Sequence, residues 1–274
     1  MPIRLQLNSG LRTKFDIASG EIFVSKMFKY LGLVFSTLAL TIFPVTQTVA
    51  MTVQPVVINL KTAGRGMTQI LTVENTFATP LPVELRVEEL VPEGDNLKPS
   101  GADPGDLLIF PPQALIQPGQ TQSFRIQFVG DPALARSKHY YVTVAQLPVK
   151  LPEGQSAIQI LYNFQVLVSI APDGSKPNLQ IKAASVATGE GGKLFAILTL
   201  DNDSPSHAYL SDGRLRIIGR DAAGKETIKQ TLSGPEIQQT IGFGLVGAGQ
   251  VRKMQLPLEL PAGTATVDAR FTAE

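Results

Sequence analysis

Bond chemistry in this chain would have to come from two histidines, a scatter of carboxylates and two glycine-rich stretches, and their spacing supports none. His139 opens a predicted strand, and His207 follows the turn Asp203-Ser204-Pro205-Ser206. Neither has a second His at a ligand spacing, and the chain has no Cys, so imidazole–thiolate metal binding has no footing. Each reads as a surface or strand-end histidine. The G-x-S-x-G elbow, the P-loop and H-E-x-x-H do not occur. Gly242-Phe243-Gly244 and Gly247-Ala248-Gly249 open no recognisable helix, which makes them turn or bulge glycines rather than phosphate cradles. Glu88 and Glu89 are adjacent on a predicted strand, so they point to opposite faces and cannot share a proton. The expectation is a protein that is not an enzyme and uses no cofactor, metal or small-molecule substrate.

The chemistry that remains is non-covalent. From Ile158, every second residue is apolar: Ile158, Ile160, Tyr162, Phe164, Val166, Val168, Ile170. The interleaved residues, Gln159, Leu161, Asn163, Gln165, Leu167 and Ser169, are mostly polar. A period of two predicts one extended strand over 157–170 with one apolar face. At ~3.3 Å per residue, about 13 residues reach roughly 43 Å, longer than a sheet of ordinary strands can cover. Its unmatched end would expose apolar side chains and unpaired backbone, an edge suited to adding a strand to another chain.

The elements that must hold this ribbon form a strand-and-turn series. Strands are predicted at 53–60, 68–75, 81–90, 107–110, 121–128, 139–147 and 157–170. Pro- and Gly-rich turns separate them, and no convincing helix is found. After the turn-rich Ala171–Pro177, strands follow at 178–185, 194–201, 207–218, 225–232, 250–260 and 264–272. The fold class is therefore all-β, with two immunoglobulin-like β-sandwich domains at 51–172 and 173–274.

Composition agrees. Apolar residues make up 43% and charged residues 17%, enough for a packed core. A net charge of +1 gives no case for a nucleic-acid partner. Lys26 and Lys29 precede the apolar run 31–45 and then Thr48-Val49-Ala50, the pattern of a secretory signal peptide with cleavage after Ala50. Residues 1–50 are thus expected to be an N-terminal extension and signal peptide, with translation starting at Met27 as one possibility. An uncleaved anchor is the alternative. That segment holds five of the 24 basic and two of the 23 acidic residues, which leaves 19 and 21, a net −2.

A set of motifs between the ribbon and the chain's first strands is more specific. In order come Phe110-Pro111-Pro112, Leu115, Pro118-Gly119, Arg125-Ile126, Arg136, Tyr140-Tyr141 and Leu147-Pro148. With the long alternating strand after them, they resemble the periplasmic pilus-assembly chaperones of the chaperone–usher pathway. The resemblance covers most of 51–172 and is looser over 178–274.

That resemblance implies a periplasmic, exported chaperone that binds, stabilises and delivers fimbrial (pilin) subunits by donor-strand complementation and works with an outer-membrane usher. It implies Ile158, Ile160, Tyr162 and Phe164 as the subunit-binding residues. The family also grips a subunit's terminal carboxylate with two basic residues, and here their positions fall near Val56 or Val57 and on Leu167, none of them basic. Arg136 and Lys138 are the substitute anchor. Ser137 and Ala171 stand where charged inter-domain partners are common. A structural or adhesive two-domain surface protein is the competing reading.

Overall fold

The computed structural model describes residues 51–149 and 160–274. The expected signal peptide, its cleavage site and Ile158 lie outside the described residues.

The first lobe is built from β1 (Met51–Gln54), β2 (Val57–Lys61), β3 (Thr68–Asn75), β4 (Leu81–Glu93), β5 (Asn96–Pro99), β6 (Leu107–Phe110), β7 (Gln113–Ile116), β8 (Thr121–Phe128), β9 (Lys138–Gln146) and β10 (Asn163–Ala171). One sheet has the order β1-β3-β8-β6, and the other runs β2-β10-β9-β4-β5 with β7 also on β4. The strand expected at 53–60 divides at Pro55, where a missing N–H interrupts any ladder. Its two halves serve opposite sheets. Between the sheets lies one apolar cluster that includes Leu71, Phe124, Ile126, Tyr140, Val142, Val168 and Ile170. Alternation dictates which residues enter it. In β8, Phe124, Ile126 and Phe128 are buried, while Arg125 between them is exposed.

The second lobe comprises β11 (Leu179–Thr188), β12 (Leu194–Asn202), β13 (Ala208–Tyr209), β14 (Gly213–Arg220), β15 (Glu226–Leu232), α1 (Gly234–Ile241), β16 (Leu245–Val246), β17 (Gln250–Leu260) and β18 (Thr266–Ala273). Sheets β11-β12-β17 and β15-β14-β18 close on a separate cluster with Leu198, Leu200, Leu215, Ile217 and Leu256 at its centre. The pair is an immunoglobulin-like sandwich arrangement of two cores, as the strand series implied.

Helix α1 corrects the expectation of no helix. It is two turns long, too short for an i, i+3, i+4, i+7 stripe to stand out. Its start is nevertheless written in the sequence. Glu236 accepts hydrogen bonds from the Ser233 backbone N–H at 2.7 Å and from its hydroxyl at 2.6 Å, with Pro235 in the first turn. Ile237 is buried on the second core.

Each lobe also ends a strand on a buried asparagine that ties down the following turn. Asn75 donates through its amide to the carbonyls of Thr79 (2.9 Å) and Ile116 (2.8 Å). Asn202 donates to Ser206 (2.8 Å) and Gly247 (3.0 Å).

Candidate functional site

The site begins where β10 outruns its neighbours. Val166, Val168 and Ile170 are at most 1% exposed, and Phe164 packs on the rim of the same core. Tyr162 is 38% exposed and Ile160 is 69% exposed, although both continue the same face. The Tyr162 ring leans on Phe77, with centroids 5.9 Å apart. Leu161 is exposed on the other face. Among the sequence-identified binding residues, the structure thus brings Ile160, Tyr162 and Phe164 into one row that leads out of the core.

The 157–170 strand is shorter than its pattern. Its regular part starts at Asn163, because β9 ends at Gln146 and supplies no ladder beyond. One further bond, from the Gln146 N–H to the Tyr162 carbonyl (3.0 Å), extends the pairing. Side-chain alternation alone cannot place such an end, which is set by the length of a partner strand.

The backbone carries a second feature. Tyr162, Phe164 and the other even-numbered residues direct their N–H and C=O groups to β9, as the Gln146–Tyr162 bond requires. Odd-numbered residues therefore point the other way. There Leu167 donates to the Val56 carbonyl (3.1 Å), and Ala171 accepts from the Thr62 N–H (3.2 Å). The β2 ladder covers Leu167 to Ala171 only. Asn163 and Gln165 are exposed, and among the described residues no strand lies along their open edge. An apolar row and an unpaired backbone edge thus occur on the same stretch, 160–165.

The two residues expected as a substitute anchor, Arg136 and Lys138, have different surroundings. Lys138 is held by Asp106 (2.9 Å) and Glu89 (3.6 Å), and Asp106 also accepts from the Tyr140 hydroxyl (2.5 Å). The hydrogen bond to Asp106 raises the Lys138 pKa. Partial burial pushes the Asp106 carboxyl up, but the hydrogen bonds from Tyr140 and Lys138 outweigh it and leave that carboxyl below its ordinary range. Arg136 is exposed, in no ion pair among the described residues, and lies against Gly249, where a Cβ would stand 3.0 Å from Nη1. Both residues border a cavity of about 420 Å³.

Val57 and Leu167 are register partners on β2 and β10. Leu167 borders a cleft of about 320 Å³ with Tyr141, Asn96, Phe243 and Arg252. Arg252 donates to Asn96 Oδ1 (3.0 Å) and to the Leu245 carbonyl, and its Nε–H is buried without a partner. Burial lowers its pKa. Sequence reading missed this guanidinium because β17 belongs to the other lobe and no local spacing connects it to Leu167.

Around Ser137, where a charged inter-domain partner is common in the family that the sequence resembles, the structure has neutral hydrogen bonds. Both lobes belong to one compact unit. His207 meets the Ser137 hydroxyl (3.0 Å) through Nδ1 and Asn59 Oδ1 (3.0 Å) through Nε2. The Tyr209 hydroxyl reaches Asn59 Oδ1 (3.0 Å) and Ser169 Oγ (2.9 Å), and His139 Nδ1 meets Ser169 Oγ (2.9 Å). His139 and His207 are therefore joint residues, 4% and 7% exposed, not surface ones. Burial holds their pKa values down to about 4 and about 3.

Residues 50–176 match the family described as pili and flagellar-assembly chaperone, PapD N-terminal domain. None of the curated proteins searched matches the chain. Among solved structures, it is similar to the class 5 fimbriae chaperone CfaA, at 11% identity and a TM-score of 0.47 over 82% of this chain and 100% of that one. It is also similar to a chain of the Salmonella enterica SafA pilin–SafB chaperone complex, at 15% identity and 0.45 over 84% and 98%. A third is the CsuC–CsuE chaperone–tip subunit pre-assembly complex of Acinetobacter baumannii, at 15% identity and 0.45 over 75% and 89%. The family match thus covers the first lobe, residues 50–176, and is to a pilus-assembly chaperone domain.

Proposed function

We propose that this protein binds and stabilises fimbrial subunits by lending them the outer end of β10, and delivers them to an outer-membrane usher. The observation that carries this reading is the coincidence, over 160–165, of an exposed apolar row with an unpaired backbone edge. Main-chain bonds along Asn163 and Gln165 would set the register of a subunit strand, while Ile160 and Tyr162 fill its pockets. Ile158, outside the described residues, extends the row by its alternation, and Phe164 marks where the row enters the protein's own core. Each pocket filled is worth roughly 1.5–3 kcal/mol.

For a subunit's carboxylate, Arg136 and Arg252 are the guanidiniums beside the inter-lobe clefts that lack an ion-pair partner among the described residues. Lys138 is committed to Asp106. The same proposal places the domain division at 172/173, in the turn that separates the two cores. It has residues 1–50 export the chain and leave by cleavage after Ala50. Periplasmic co-expression with candidate fimbrial subunits tests the binding. A subunit should co-purify with the intact chain and be lost when residues 158–162 are replaced by Gly and Ser. Equal recovery with that replacement would refute the strand's role.

A further inference from the structure

The three-stranded sheet β15-β14-β18 turns Leu215, Ile217 and Val267 into the second core and an unusual set of charges outward. Arg216 on β14 and Arg270 on β18 are direct register partners on that outer face. Both are exposed, and neither is in an ion pair among the described residues. Like charges directly opposite across two antiparallel strands destabilise the pair. The next row adds Lys229 beside Ile218, with Asp268 on its other side. That carboxylate is engaged by Arg220, and Arg214 at the sheet end is engaged by Glu274. The nearby acids therefore pair with the flanking arginines and leave the central two uncompensated. A cavity of about 380 Å³ opens there, bordered by Arg216, Ile218, Asp268, Ala269 and Arg270.

We infer that this face is a second binding site, in which Arg216 and Arg270 together grip the carboxylates of an acidic segment of a partner polypeptide. Two facing guanidiniums offer forked donors that match carboxylate oxygens, and an anion between them removes their mutual repulsion. A lipid surface fits less well. Docking on a bilayer calls for protruding apolar groups beside the cations, and none of the large exposed hydrophobics lies on these three strands. The charge is also local, because the chain beyond residue 50 is net −2 and the face stands out against an acidic background.

Hexaglutamate is the probe, titrated against the purified protein at low salt. It should bind, with affinity reduced at least tenfold in the double variant Arg216→Gln/Arg270→Gln and unchanged in Lys253→Gln, which removes a cation from another sheet. Without peptide, Arg216→Gln should shift Tm upward, because it relieves the cross-strand repulsion. Phosphatidylglycerol vesicles and inorganic phosphate are the competing probes. Equal binding by the double variant, no binding by the parent chain, or preferential capture of vesicles or phosphate would each overturn the inference. Subunit capture by β10 is scored separately, so failure here leaves that reading standing.

Discussion

At the residue scale, the side chains that face inward on β10 have a different task from those that continue the same row beyond the core. Ile160→Asp should change folding stability by no more than an ordinary surface substitution, about 0.5 kcal/mol, since the side chain is 69% exposed. The same substitution should weaken subunit binding roughly 10–100-fold, the loss of one filled apolar pocket. Paired thermal melts and pull-downs check both halves. Ile170→Ala, ten positions further along the same row, should behave oppositely. It empties a fully buried site and should cost about 2–5 kcal/mol of stability, measured by urea unfolding, while leaving the binding surface unaltered. Alternation made this row readable in the sequence. The residue that sequence reading missed, Arg252, has no such signature, because it reaches Leu167 only through packing of the two lobes.

At the element scale, the length of a strand is set by its neighbour. The apolar pattern extends to Ile158, but β10 becomes regular only at Asn163, opposite the end of β9. Lengthening β9 would therefore extend the ladder without any change in β10. Helix α1 shows the converse case, in which the local signal was present but short: Ser233, Pro235 and Glu236 announce a helix start, and two turns offer no stripe to confirm it. Ser233→Ala should destabilise the second lobe by about 1 kcal/mol, read from the urea midpoint, because the capping hydroxyl is lost.

At the scale of the whole molecule, the joint between the lobes is a neutral network centred on two buried histidines. His139 and His207 lie with ring centroids 5.4 Å apart, close to Ser137, Ser169, Asn59 and Tyr209. The Lys61 ammonium adds a further small push against protonating His207, and the Asp212 carboxyl, raised by its burial, flanks Tyr209. Both imidazoles have folded pKa values below the unfolded value of about 6.5. The unfolded chain therefore binds protons first as pH falls. The stability that depends on neutral imidazoles is complete above about pH 6.5 and is lost as pH drops toward about 4 and about 3. Urea midpoints between pH 7.5 and 4.5 should fall, and His139→Asn should flatten that slope. Two sandwiches and their order were legible from turn spacing and alternation. The joint was not, because nothing local marks a histidine that a distant lobe will cover.

Amide hydrogen exchange on a co-purified complex tests the central claim most directly. In the free protein, the Asn163 and Gln165 amides should exchange quickly and those of Phe164 and Val166 slowly. With a fimbrial subunit bound, Asn163 and Gln165 should become strongly protected. Unchanged exchange at these two amides in a complex that otherwise holds its subunit would contradict strand donation by β10.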